Sequence, residues 1–554
     1  VNSSTPAIVS QAGARPLSRW ALLLICIAYL LPGQLQREPW RHEELSAFGF
    51  MSALARGDSA WWLPSLGGLP APDGALLPYW LGAAAIKLLP WVDAGLAARL
   101  PFIALLAGVL ALCWYATFHL ARTEAAQPVA FAFGGEAHAV DYARALADGA
   151  LLALMASLGL ILIGHESSSA LVQLFGVSLW LYALAVTPFR ERRAQSLVAL
   201  ALTVLALSGA PFVALLLGSA GLLICHYSRF AEARRLRPSL ALGMLLSLGI
   251  SAWTQGLSWR IGLPEGGSLV RLLAWFVWPS AALAAWTLWR WRGHWRSRHL
   301  SVPLGLSAVG LVACVCMGGY DRALLLALPG LAVLASFALP TLQRGVSAML
   351  DWFSLFFFSA LSFAIWAYFL ALHTPWLPRM LEKVRQQAPA FQPGLDLWAL
   401  ALASLGSLAW LSLVRWRTSR QRAALWRSLV LPAGGVVLAW LLAMTLWRPA
   451  IDHAMGHRSL LGQLRSVLPA TANCIAAPRQ NLSLLATLEA QGGWKVDGRT
   501  SLSQSNCDWA VLRLPREAQP DLPSAWRPAH LLTRAAERGS RYWVLRRSVE
   551  QSAP

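Results

Sequence analysis

The sequence predicts an all-α polytopic membrane protein with a small C-terminal α/β domain, and three observations carry that reading. The 554 residues are 57% hydrophobic and only 13% charged, whereas an ordinary soluble domain carries about 25% charged residues. Apolar runs recur through roughly the first four-fifths of the chain, many approaching the ~20 residues that one bilayer crossing needs. Clusters of Arg occupy the short loops between runs and, counted along the chain, fall on one side of the membrane. A soluble enzyme is excluded by the first observation. The net charge of +20 would suit a nucleic-acid binder, but such a protein would need its bases on one solvated face rather than between apolar runs.

The elements follow in order. The first run, Leu17 to Leu31, comes after Arg15 and Arg19 with no small-residue cleavage pattern behind it, so it reads as an uncleaved anchor with a cytoplasmic N-terminus. Residues 34–98 mix Trp, Pro and Gly with two amphipathic pieces and form an outer loop. Arg99 to His119 is the second span. Further runs at 149–164, 169–187, 195–208, 211–227, 238–256, 269–289, 301–317, 322–341, 350–371, 397–414 and 428–447 bring the count to thirteen. Four basic clusters then share the cytoplasmic side: Arg190 to Arg193, Arg234 to Arg237, Arg290 to Arg298, and Arg415 with Arg417, Arg420 and Arg422. This alternation depends on Gly209-Ala210-Pro211 separating two spans; as one helix they would invert every later loop.

An odd count places the tail opposite the N-terminus, so residues 1–447 read as the membrane domain and 448–554 as a periplasmic domain. Its β-like pieces, Cys474 to Ala477, Trp509 to Leu514 and Tyr542 to Leu545, surround a helical stretch near Leu482 to Ala490. Cys26, Cys113, Cys225, Cys314 and Cys316 fall in or beside apolar runs and read as packing residues. Cys474 and Cys507 lie in the tail, where an oxidising compartment allows a disulfide and two unpaired thiols remain the alternative.

Charged groups near a membrane are costly without a role, which directs attention to three outer segments. Arg37-Glu38-Pro39-Trp40-Arg41-His42-Glu43-Glu44 precedes apolar residues at helical spacing, the pattern of a helix lying along the membrane surface. Its acids either carry chemistry or simply serve the helix dipole. HEELS lacks the second His of a zinc-protease helix. Gly164-His165-Glu166-Ser167 forms the second segment, readable as a reactive acid or as a satisfied interfacial pair. Gly318-Gly319-Tyr320-Asp321-Arg322 is the third, with an Arg that suits a phosphate or snorkels to lipid head groups.

The stretch from Trp40 to Trp80, then AARLP at Ala97 to Pro101, HESSSALVQLFG and DRALLLALPG, resembles GT-C glycosyltransferases, in particular bacterial aminoarabinose (lipid A) transferases and protein O-mannosyltransferases. The resemblance runs thinly through about the first 340 residues. It implies a polyprenyl-phosphate sugar donor and a membrane-lipid, glycan or protein acceptor outside a bacterial inner membrane. Alignment on Gly57-Asp58 sets His42 and Glu43 against the family's acidic pair, and a one-residue slip sets Glu43 and Glu44 there. Glu166 stands nearest a further family Asp, which is replaced within Ser167 to Ala170. Pro72-Asp73-Gly74-Ala75 departs from the family's Glu-Lys-Pro-Pro, so no family zinc site carries over and the need for a divalent metal stays open.

The resulting expectation gives Glu43, Glu44 and Glu166 to proton transfer, Arg99, Arg322 and Arg271 to the phosphate, and supporting places to His42, His165 and Tyr320. A transporter or lipid flippase, which would carry charges midway along its spans, and an inert membrane scaffold are the rival readings. The sequence does not address oligomeric state.

Overall fold

The computed structural model describes residues 5–548 apart from 36, 229–230, 255, 257–260, 375–376, 389–390, 419–423, 470–471, 535–536 and 538. Arg420 and Arg422 of the last basic cluster therefore lie outside the described residues. Helices stand at every one of the predicted runs. Among the described residues eight are long and apolar enough to cross a membrane, and nine if the pair Gly266–Phe276 and Ser280–Arg290, bent by 89°, is taken as one span. Arg19–Leu30 and Pro211–Tyr227 are apolar but shorter. Ala139–Ala156 carries Asp141, Arg144 and Asp148, more charges than a crossing identified by composition carries. Thirteen crossings thus go further than the helix lengths do. The break at Gly209-Ala210-Pro211 separates Glu191–Leu207 from Pro211–Tyr227, with Pro at the start of the second helix, where its missing N–H costs nothing.

Polar groups inside the bundle are tied down locally. Asp148 accepts from the Leu17 backbone N–H at 2.7 Å and from the Trp114 indole at 2.8 Å, pinning the start of the first helix to a neighbour. Asp351 pairs with Arg417 between two peripheral helices, Arg344–His373 and Leu397–Thr418.

One end of the bundle gathers all the predicted outer segments. The helix His42–Arg56, expected from its pattern to lie on the membrane surface, is instead buried along most of its length. Leu77–Leu88 packs on one side of it and the tail helix Leu482–Ala486 on another. Gly49 permits the second contact, because a Cβ there would meet Ala486 Cβ and Leu66 Cδ2 at 2.8 Å. An amphipathic pattern declares an apolar stripe without saying whether lipid or protein covers it.

The tail forms a five-stranded sheet ordered Val496–Asp497, Ile475–Ala476, Trp509–Pro515, Ser540–Arg547 and Trp526–Leu532. The first three pair in parallel and the rest antiparallel. Along Trp509–Pro515 the side chains alternate: Val511 joins the core shared with the bundle, while Ala510 and Leu512 join a separate cluster with Trp526 and Leu545. Trp526–Leu532 is a strand that the sequence does not announce. It lies at an edge, its middle five residues are exposed and its Pro528 sits at a register shift, a composition that reads as loop but is what edges tolerate. Cys474 and Cys507 form a disulfide with Cα atoms 5.1 Å apart.

Candidate active site

The helix His42–Arg56 begins where Arg41 leaves the extended conformation, and its first turn carries both glutamates, favoured there by the helix dipole. Successive helical positions are turned by about 100°, so Glu43 and Glu44 meet different surroundings. The loop 164–168, between Leu158–Ile163 and Ser169–Val186, brings Glu166 to the same end. Gly318 and Gly319, at φ +73° and +82°, form a turn that L side chains rarely adopt. That turn delivers Tyr320 and Arg322, at the start of Asp321–Leu325, into the same place.

Arg322 is the centre of the first group. Its Nη2 lies 2.5 Å from Glu166 Oε2 and 3.1 Å from Glu43 Oε2, while its Nε, sealed from solvent, has no hydrogen-bond partner. Glu166 is almost fully buried and also has Arg41 Nε 3.2 Å from Oε1. Burial pushes the Glu166 carboxyl up to about 7, outweighing the opposite pull of Arg322. Glu43 differs in being 48% exposed. It opens, with Ser168, Ser169, Gln173, Tyr320 and Arg322, onto a cavity of about 190 Å³.

Glu44 belongs to a second group on the other side of the helix. It is 2% exposed and accepts from both ends of the Arg37 guanidinium, at 3.0 and 2.5 Å. Arg37 gives two further N–H groups to the carbonyls of Gly33 and His165, each at 2.9 Å. Arg99 stands beside this pair, its Nε 3.9 Å from Glu44, and donates to the Gln34 carbonyl at 3.4 Å. Arg37, Glu44, Arg99 and Arg458 line a separate cavity of about 320 Å³.

The structure therefore brings Glu43, Glu166, Arg322 and Tyr320 together and separates Glu44 and Arg99 from them. Arg271 is exposed on Gly266–Phe276 and lines neither cavity. His42 turns to the tail, its Nδ1 2.9 Å from Ser483 Oγ. His165 is buried between Tyr29 and Trp440, its ring nitrogens 2.8 Å from the Tyr29 carbonyl and 3.0 Å from that of Ile161. Burial pushes its imidazole down to about 4 against the opposite pull of the two carbonyls, and the ring braces helices without lining the Glu43 cavity. Arg37 and Arg41 carry no role in the sequence reading, although the alternation of bases and acids from Arg37 to Glu44 is the signal for their pairing. Gln173 escapes that reading because a single amide in an apolar run gives no warning. Among the described residues no three or more His, Cys, Asp and Glu side chains are arranged to hold a metal ion.

No family model and no curated protein matches the chain. Solved structures do, among them two of one protein. The crystal structure of ArnT from Cupriavidus metallidurans bound to undecaprenyl phosphate superposes with a TM-score of 0.59 at 14% identity, covering 97% of this chain and 99% of that one. The apo structure of the same ArnT gives 0.57 at 14% identity, covering 97% and 98%. The chain thus has the polytopic membrane fold of ArnT from end to end, the fold that the GT-C resemblance implied.

Proposed function

We propose that the chain is a glycosyltransferase of a bacterial inner membrane. It moves a sugar from a polyprenyl-phosphate donor to an oxygen of a periplasmic acceptor, which is a membrane lipid, another glycan or a protein. The observation that carries this reading is one cavity lined by both an accessible carboxylate, Glu43, and a guanidinium, Arg322. Transfer needs those two groups side by side. Glu43 accepts the proton of the acceptor hydroxyl or hydrogen-bonds a phosphate nucleophile as its oxygen attacks the anomeric carbon. The bond from that carbon to the donor phosphate breaks, its electron pair goes to the phosphate oxygen, and Arg322 stabilises the growing charge. Glu166, itself paired with Arg41, holds Arg322 in place. No step is routed through a metal. The undecaprenyl phosphate bound by ArnT, whose fold this is, supports a lipid-linked donor.

The test is transfer by purified protein in vesicles supplied with undecaprenyl phosphate carrying different pentoses or hexoses and with a panel of lipid and peptide acceptors. Transfer that requires the loaded lipid supports the proposal. Movement of the lipid between leaflets without transfer to any acceptor would replace it with the flippase reading.

A further inference from the structure

Among the cavity side chains, Gln173 has an orientation dictated by its neighbour. The Ser208 carbonyl, at the end of Glu191–Leu207, lies 3.0 Å from Gln173 Nε2. A carbonyl only accepts, so Gln173 must turn its NH2 there, and its Oε1 becomes the free end of a planar amide. Among the described residues that oxygen has no hydrogen-bond partner, and Gln173 lines the cavity. Ser169 lies four residues earlier on the same helix, hence one turn away on the same face. It lines the same cavity, and its hydroxyl has no hydrogen-bond partner among the described residues.

Among the described residues the cavity wall thus offers acceptors at Glu43 and Gln173, a hydroxyl at Ser169 and the cation Arg322. A ligand matched to it brings hydrogen-bond donors to one part and an anion to another. A lipid phosphate alone leaves Gln173 Oε1 unmet, whereas a sugar ring attached to that phosphate supplies O–H or N–H groups. We infer that Gln173, seconded by Ser169, is a specificity-determining residue that reads the donor's sugar ring by accepting hydrogen bonds from its substituents. This rests on the transferase reading above.

The experiment compares the binding of sugar-free undecaprenyl phosphate with that of pentosyl- and hexosyl-loaded undecaprenyl phosphate by the parental chain, Gln173→Leu and Gln173→Glu. Both variants lose the bond to Ser208, because an ionised Glu cannot donate, but only Glu keeps an acceptor. The preference of the parental chain for loaded over sugar-free lipid should fall about 5- to 10-fold in Gln173→Leu, the worth of one hydrogen bond, and persist in Gln173→Glu. Equal weakening of loaded donor by the two variants would reduce Gln173 to a brace for the helix end and overturn the inference. So would an undiminished preference in Gln173→Leu. A parental chain that binds sugar-free lipid but shows no preference for any loaded form overturns it too, while leaving the lipid site standing. Binding of neither lipid by the parental chain sinks the transferase reading itself.

Discussion

Glu43 and Glu44 are adjacent in sequence and begin the same helix, yet the first stands 48% exposed in a cavity and the second is 2% exposed against Arg37. On the Glu43 face a guanidinium shared between two carboxylates lines a cavity that a ligand can enter. On the Glu44 face Arg37 grips its carboxylate bidentately and gives two further N–H groups to backbone carbonyls. The same residue type is poised for chemistry in one environment and for cohesion in the other. Exposure of the carboxylate distinguishes them.

That contrast breaks most readily at Glu43. Glu43→Gln keeps size and removes the charge, so the transfer rate should fall ~10²–10⁴-fold, the range of general-base contributions, while the unfolding midpoint of the purified protein moves little. A parental rate in this variant would remove Glu43 from the mechanism and make Glu166 the next acid to test. Arg322→Gln should cost about 10²–10³-fold in rate, as removal of a charge-stabilising donor does. Arg271→Gln, on an exposed helix away from the cavity, should stay within about threefold. Comparable losses in the two Arg variants would mean that the cavity has been assigned to the wrong phosphate.

Glu44 sharpens the comparison from the other side. Glu44→Gln leaves Arg37 and Arg99 buried without their carboxylate and should destabilise the protein by about 3–5 kcal/mol, whereas replacing Arg37 and Glu44 together by Leu should restore much of that. Full stability of the single variant, together with a lost rate, would exchange the roles of the two glutamates.

The smallest expected effect is a pH dependence. Burial raises Glu166 from 4.5 to about 7, so the folded chain retains a proton that the unfolded chain releases in that interval. The resulting stabilisation is complete below the ordinary carboxylate range and is lost as pH rises through about 7. The unfolding midpoint in detergent should therefore climb as pH is lowered from 7 to 5, and Glu166→Gln should flatten that slope. A parental slope retained in the variant would assign the titration to Glu38 or Asp452, whose carboxyls burial also raises.

Much of the fold is legible in the sequence because it depends on local composition. Apolar runs must become helices when lipid leaves the backbone no other partner, and a helix stands at each of them. The break before Pro211 and the alternating strands around Trp509 and Tyr542 are equally local. Glu43, Glu166 and Arg322 stand out one by one, because a charge beside an apolar run is conspicuous wherever it falls. Their meeting is not legible, since it depends on how loops separated by more than a hundred residues pack at one end of the bundle. Nor can the string Arg37 to Glu44 say which acid Arg37 closes off: a rotation of about 100° per residue decides it, and only the neighbouring helices and the tail define what lies in each direction. Arg99 and Arg322 look alike as phosphate ligands, and packing places them in different cavities. The sequence determined which segments are helices and where its unusual charges lie. Tertiary structure alone decided which charges face one another, because Coulomb attraction and desolvation act over a few ångströms of space and take no account of distance along the chain.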